Sequence, residues 1–332
     1  MESGEWVADA GSGPQEQELD ALLDRIVRAP SPLYRARVSG AAAAIGARRA
    51  PDVLARLPLT TRDELLRDQL SALPFGTRRF ADAPWPVRLG TAGTGPELLL
   101  LAWTPADLAR ERRAGVRVLG RLGVRPGMRV ANALAGALTT PGALLLGDVV
   151  EQLGALDVPL GEIATGAQAR QAWSLIDRVE PAVIVLEAAA VGPLFDAAPD
   201  GRRPWWRGIV WLDRGTRPAP APPNIPTKIG FSGWQRWWLA IPEATSFVAA
   251  SCPARETAAR DSARFHVDDA VIAEIVAPTS ALPVGAGRRG SLVLTPLGLD
   301  APLLRYATDL AAELPNSPCP CGAGGASFEL LD

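Results

Sequence analysis

The sequence predicts an α/β fold: a parallel sheet with flanking helices, followed by a smaller β-rich part in the C-terminal third. Segments 128–134, 155–159, 182–186 and 209–212 are short, apolar on both faces and separated by stretches with helical periodicity. Past a proline-rich segment at 218–226 the pattern changes, and 271–277 and 291–295 read as strands joined by a glycine turn at 285–290. The three cysteines and the one histidine all lie in this later part, as Cys252, His266, Cys319 and Cys321.

Taken in order, residues 1–17 are polar and acidic and are expected to form a disordered tail. Leu19, Leu22, Leu23, Ile26 and Val27 then recur at helical spacing, and short helical pieces continue to about residue 70. Thr104-Pro105-Ala106-Asp107 has the chemistry of a helix start, an N-cap hydroxyl followed by proline at the first helical position, and opens a helix to about residue 122. Pro126-Gly127 turns the chain into the 128–134 strand. Helices over 142–153 and 168–179 separate it from the strands at 155–159 and 182–186, and 209–212 is one strand more. Three units follow: the tail (1–17), an α/β core (18–226) and a β-rich C-terminal subdomain (227–332). No internal repeat is present.

Composition removes several function classes. With 48% hydrophobic residues and a net charge of -2, the chain has a large apolar inventory, no basic field for nucleic acid and no polybasic strip for a membrane surface. No apolar run is long enough to span a bilayer, and the reading is a soluble, cytoplasmic protein. Lys228 is the one lysine, so a mechanism that needs a lysine has a single candidate.

Thiolate and imidazole are the ligands tetrahedral zinc prefers, and Cys252, His266, Cys319 and Cys321 make a Cys₃His set that closes all four positions, which suits a structural ion. The alternative is three buried thiols acting as small hydrophobes beside a core histidine. Disulfides fit poorly: three thiols leave one unpaired, Cys319 and Cys321 are too close for an easy bridge, and no secretory signal precedes them.

Several segments resemble, in order, the phenylacetate-CoA ligase branch of the adenylate-forming enzymes: Leu57-Pro58-Leu59-Thr60-Thr61-Arg62-Asp63-Glu64-Leu65, the glycine-rich Thr91-Ala92-Gly93-Thr94-Gly95-Pro96, and Trp103-Thr104-Pro105-Ala106-Asp107-Leu108. The segment 147–159, Gly290 to Thr295, Pro302 to Leu310 and Cys319-Pro320-Cys321-Gly322 continue the match, which spans roughly 28–325. The resemblance implies the large N-terminal domain of an adenylate-forming enzyme plus a small zinc lobe. Chain end at Asp332 falls where the family's C-terminal lid begins, so the expected form lacks that lid. Some members bind zinc through a Cys, a His and a Cys-x-Cys placed as they are here.

Such enzymes activate a carboxylic acid on the α-phosphate of ATP and pass the acyl group to coenzyme A. The resemblance assigns the nucleotide to Thr91, Gly93, Thr94, Gly95 and Asp309, the last matching the acid that grips the ribose hydroxyls; a plain loop carboxylate or helix cap is the alternative for Asp309. Pro96 and Glu97 stand where the family has its last loop glycine and its loop lysine, which removes an N–H donor and adds a charge that repels triphosphate. An ungapped match puts Gly233 at the position of the Mg²⁺-binding glutamate, and Ala307 at that of an arginine. ATP with Mg²⁺ is therefore in doubt, while coenzyme A or a phosphopantetheine arm stays open.

Six of the ten tryptophans lie between residues 205 and 238. Phe231, Trp234, Arg236, Trp237 and Trp238 form the candidate pocket for an acyl or aryl group, with a core plug or a protein interface as alternatives. The leading expectation is a degenerate ligase-like pseudoenzyme, unable to adenylate alone, that binds an acyl or aryl group as an accessory in specialised metabolism. It would act as a homodimer or in complex with a pathway enzyme or acyl carrier protein. Two enzyme readings stand beside it: an ATP-independent acyltransferase, and an AMP-forming acid–thiol ligase whose lid comes from another chain.

Overall fold

Leu19, Leu22, Leu23 and Ile26 form the buried stripe of α1 (Gly13–Arg28), which packs with α2 (Pro32–Ile45) and α3 (Ala50–Leu54) around Tyr34, Leu54 and Leu57. This computed structural model describes residues 13–29, 31–45, 49–136, 140–199, 206–215, 231–254 and 263–331. Helix α1 begins at Gly13, so residues 13–17 of the expected tail are helical, and Gln15 already reaches the Asp269 carbonyl at 2.9 Å. Residues 1–12 and Lys228 lie outside the described residues.

Helix α4 (Arg62–Ser71) starts where the Thr61 hydroxyl accepts from the Glu64 N–H. A hairpin follows, β1 (Arg88–Ala92) against β2 (Leu99–Trp103), in antiparallel register from Arg88↔Trp103 to Ala92↔Leu99. At Thr104 the expected helix start is a full capping box with Asp107, opening α5 (Pro105–Arg121). Then come β3 (Arg129–Asn132), α6 (Ala143–Gln152), β4 (Leu156–Pro159), α7 (Gly166–Val179), β5 (Val183–Leu186), α8 (Val191–Asp196) and β6 (Gly208–Asp213). Each expected helix and strand of this stretch is found within two residues of its reading. The remaining strands are β7 (Trp234–Ile241), β8 (Thr245–Ser251), β9 (Arg264–Val267), β10 (Val271–Val276), β11 (Arg289–Pro296), β12 (Tyr306–Glu313) and β13 (Ser327–Leu331).

Eleven strands form one sheet in the order β10-β11-β12-β13-β9-β8-β7-β6-β5-β3-β4. β4, β3, β5, β6 and β7 are parallel, as the βα alternation requires, and the rest are antiparallel. The boundary drawn at 226 does not break the sheet. β6 pairs directly with β7 from Gly208↔Trp234 to Asp213↔Leu239, so the C-terminal strands extend the parallel sheet instead of building a separate one.

That extension decides the fate of the tryptophans. Along a strand successive side chains face opposite sides. Trp237, Leu239 and Ile241 therefore enter the hydrophobic core on one face, and Trp238 and Ala240 the core on the other. Trp238 is fully buried and stacks on Phe247 with centroids 4.7 Å apart; Trp237 lies 6.0 Å from Trp211. From Trp237 on, the run is a central strand buried on both faces, not an exposed docking face, while Trp234 to Arg236 are half-buried.

A candidate active site at the carboxyl ends of the parallel strands

In open α/β sheets ligands bind beyond the carboxyl ends of the strands. Here those ends carry a linked set of polar groups. Arg214, just past β6, donates through Nε to Glu187, just past β5, at 2.5 Å, and through Nη1 to the Thr140 carbonyl in the connection after β3. The Thr140 N–H in turn bonds to the Thr91 carbonyl at 3.3 Å, which fastens the start of the glycine-rich turn to the end of the sheet.

Gly93 and Gly95 take φ +84° and +56°, the left-handed region that glycine tolerates. A side chain at Gly93 is barred twice over: its Cβ would lie 2.1 Å from Arg62 Nη2. That guanidinium sits in the turn, donating to the Ala92 carbonyl at 3.0 Å and the Glu97 carbonyl at 2.6 Å, and pairs through Nη1 with Glu243 at the corner between β7 and β8. Thr94, Pro96 and the Glu97 side chain are exposed on the same turn.

Glu243 is a largely buried carboxylate of the crevice that the sequence reading missed. Burial pushes its pKa up, against the pull of Arg62 and Arg78 and with a further push from Asp309. Tyr306, at the start of β12, is raised by burial and then by the Glu243 charge. Three residues on, the pairing of β11 and β12 slips between Ser291↔Ala311 and Val293↔Ala307, and Asp309 sits on the resulting bulge, exposed, with φ +59°. Bulges re-aim side chains, and a non-glycine residue in the left-handed region is strained. Asp309 caps no helix, which removes that alternative.

Gly233 is elsewhere. It precedes the first residue of β7, where its Cβ would clash with the Arg207 carbonyl at 2.1 Å. With β7 parallel to β6, Gly233 belongs to the amino end, a strand length of roughly 25 Å from the crevice. Gly233 is thus far from the crevice; residues 229 and 230 lie outside the described residues. The carboxylate found at the carboxyl end of β7 is Glu243. What marked it in the sequence is a lone carboxylate in Pro242-Glu243 between two apolar runs.

The five residues read as an acyl pocket do not converge. Trp234 and Arg236 stack at 4.5 Å near the amino end of β7, where Arg236 donates to the Leu122 carbonyl that ends α5, at 2.8 Å. Phe231 packs partly buried against one face of the core, and Trp237 and Trp238 fill opposite faces.

Cys252, His266, Cys319 and Cys321 do converge. Pairing of Ala250↔His266 and Ser251↔Phe265 sets Cys252, one residue past β8, beside His266 on β9, and the loop between β12 and β13 brings in the other two thiols. The four ligand atoms all lie within 4.8 Å of one another, with Cys252 Sγ 3.3 Å from Cys319 Sγ and Cys321 Sγ 3.3 Å from His266 Nε2. Tetrahedral zinc with 2.3 Å bonds to sulfur has edges of about 3.8 Å, so the cluster has the right size and donors. Burial, then Arg121 and Arg264, lower the His266 pKa to about 4, leaving the neutral imidazole that ligates a metal. Burial and the Cys319 contact push Cys252 up to about 11, so the thiols cannot all ionise without a cation among them.

No protein-family model matches the chain. It is 26% identical over 323 residues to a phenylacetate-coenzyme A ligase of Thermus thermophilus, covering 93% of this chain and 66% of that protein. The chain thus spans just under two thirds of that relative's length. The fold is that of a 2-hydroxyisobutyryl-CoA ligase solved with 2-HIB-AMP and CoA (TM-score 0.77, 19% identity, 98% of this chain and 75% of that one). A long-chain-fatty-acid-CoA ligase of Archaeoglobus fulgidus is a more distant likeness (TM-score 0.54, 10% identity, 74% of this chain and 50% of that one).

Proposed function

We propose, from the premise that this chain is a homologue of phenylacetate-coenzyme A ligase with the fold of the CoA ligases, that its crevice binds a carboxylic acid and an adenosine nucleotide and works in AMP-forming acid–thiol ligation. One observation carries this reading. The Gly93–Gly95 turn, Glu243 and Asp309, drawn from segments far apart in sequence, meet at the carboxyl ends of the parallel strands.

In this reading the N–H groups of the turn face phosphate, and Asp309 takes the ribose hydroxyls. Glu243 would hold a divalent cation, which supplies charge neutralisation at the phosphates when bound. The acceptor is the thiol of coenzyme A or of a phosphopantetheine arm. Zinc at Cys252, His266, Cys319 and Cys321 is structural: with four protein ligands it leaves no position for water, and it ties β8, β9 and the loop before β13 together. It also occupies His266, the one histidine, so an acyltransferase has no imidazole base to use.

A second reading, an acyl-binding accessory that does not adenylate, is favoured by Arg62 seated inside the glycine turn and by Glu97 on its rim. Acid-dependent exchange of labelled pyrophosphate into ATP separates the two. Ligation predicts exchange with at least one acid, abolished in Asp309→Ala. No exchange across a broad acid panel, with an acyl-adenylate analogue still binding, sinks the ligase and leaves the accessory.

A further inference from the structure

We infer that Arg78 is the anion-binding cation of the crevice, seated to meet a phosphate or carboxylate oxygen of the bound ligand; this rests on reading the crevice as a nucleotide and acid site. Arg78 precedes the β1–β2 hairpin and lines a void of about 20 Å³ with Trp103, Asp107, Glu243, Ala244 and Thr245. Among the described residues it makes no hydrogen bond and no ion pair, although burial is strong enough to lower its pKa.

Every acid around it is already engaged. Asp68 accepts from the Thr77 N–H at 2.8 Å and the Thr77 hydroxyl at 2.6 Å. Asp107 accepts from the N–H groups of Thr104 and Asp300, both at 2.9 Å. Glu243 is paired with Arg62. Other arginines of the chain show what a structural guanidinium looks like. Arg305, 1% exposed, donates to Glu274 and to the carbonyls of Ala55, Leu57 and Ala281. Arg79 donates to the Pro84 carbonyl and lies over Trp85.

Arg78 is half-buried, and a guanidinium held beside Asp107 and Glu243 without pairing to either keeps its donors for something else to use. The void admits one water or one anion oxygen, with the rest of the ligand lying outside it. Position adds to the case. Glu97 gives the glycine turn a negative rim, and Arg62 is bound to turn carbonyls and to Glu243, so Arg78 is the arginine beside Glu243 with its donors uncommitted.

The test uses the purified full chain and three probes, inorganic pyrophosphate, AMP and phenylacetate, titrated calorimetrically into wild type, Arg78→Met and Arg78→Lys, with melting temperatures of the unliganded proteins alongside. The expected result is an unliganded Arg78→Met that melts no lower than wild type. Its affinity for at least one probe should fall roughly tenfold or more, and Arg78→Lys should recover part of it. Loss on pyrophosphate and AMP identifies a phosphate partner, and loss on phenylacetate alone a carboxylate. Arg78→Met melting several degrees lower, binding all probes as wild type does, or a wild type that binds none of them overturns the inference. Arg78-dependent binding without pyrophosphate exchange would defeat the ligase reading and leave this one standing; exchange with an unchanged KM in Arg78→Met would do the reverse.

Discussion

Glu111 holds the corner that carries Glu243, and its removal has a calculable cost. This carboxylate, 1% exposed in the middle of α5, accepts from Arg110 Nη1 at 2.8 Å, from the Thr245 hydroxyl at 2.7 Å and from the Ser246 N–H at 2.9 Å. All three bonds end on the carboxylate and are charge-assisted, each contributing about 1.5–3 kcal/mol but not additively. Arg110, itself 5% exposed, would be left with the Ala270 carbonyl as its remaining partner. Glu111→Ala is therefore expected to cost about 3–5 kcal/mol. At about 2 °C per kcal/mol for a chain of this size, the melting temperature should fall by about 6–10 °C in a thermal melt followed by circular dichroism. Glu111→Gln should lose about half as much, because its amide nitrogen must face one of the three donors. Binding of an acyl-adenylate analogue should weaken in Glu111→Ala well below its melting point, since Glu243 lies two residues before Thr245 in a corner that is no longer held. A melting temperature within about 2 °C of wild type would refute the reasoning.

Purified protein is expected to carry one zinc per chain by metal analysis, and Cys319→Ser should lose both the metal and a large part of the thermal stability, since binding energy at a closed site is folding energy; zinc-supplied expression that returns no metal counts against the site. Burial raises the Glu243 pKa, so its protonated form is favoured in the fold; that stability is fully present below the ordinary glutamate range near 4.5 and is lost as pH rises through the raised value. Glu243→Gln should therefore melt higher than wild type at pH 7 to 8, with the gap closing as pH falls toward 4.5 in melts across the range. Trp238→Ala should cost about 3–5 kcal/mol in guanidinium unfolding, as expected of a core tryptophan, whereas Trp234→Ala, at a partly exposed position, should cost clearly less.

Several features of the fold were legible in residues a short distance apart. The strands β5 and β6 are buried on both faces, as expected of a covered parallel sheet, and the Thr104 cap followed by Pro105 marks the start of α5 to the residue. Grouping of Cys252, His266, Cys319 and Cys321 was also visible, because such an inventory in one region has few other uses. Helix periodicity in α1 was read correctly but its start was placed late, since a polar first turn looks like a tail until Gln15 finds the Asp269 and Val271 carbonyls.

Residue types, periodicities and caps, all short-range properties, thus settled by themselves the α/β class, the alternation of α5, β3, α6, β4, α7, β5 and β6, and the metal-type donor set. Tertiary structure alone decided which groups face the crevice. Trp237 and Trp238 look like a binding cluster in a linear string, but pairing of β7 onto β6 sends them to opposite cores. The same pairing places Gly233 at the amino end of its strand and Glu243 at the carboxyl end, where ligands bind. Arg78, Arg62 and Glu243 come from segments more than 150 residues apart at the extreme, and nothing in their local sequence sets that distance. The physical reason is that strand direction and register are fixed by hydrogen bonding and burial across the whole sheet, and a one-residue or one-strand misreading moves every side chain to another face or another end.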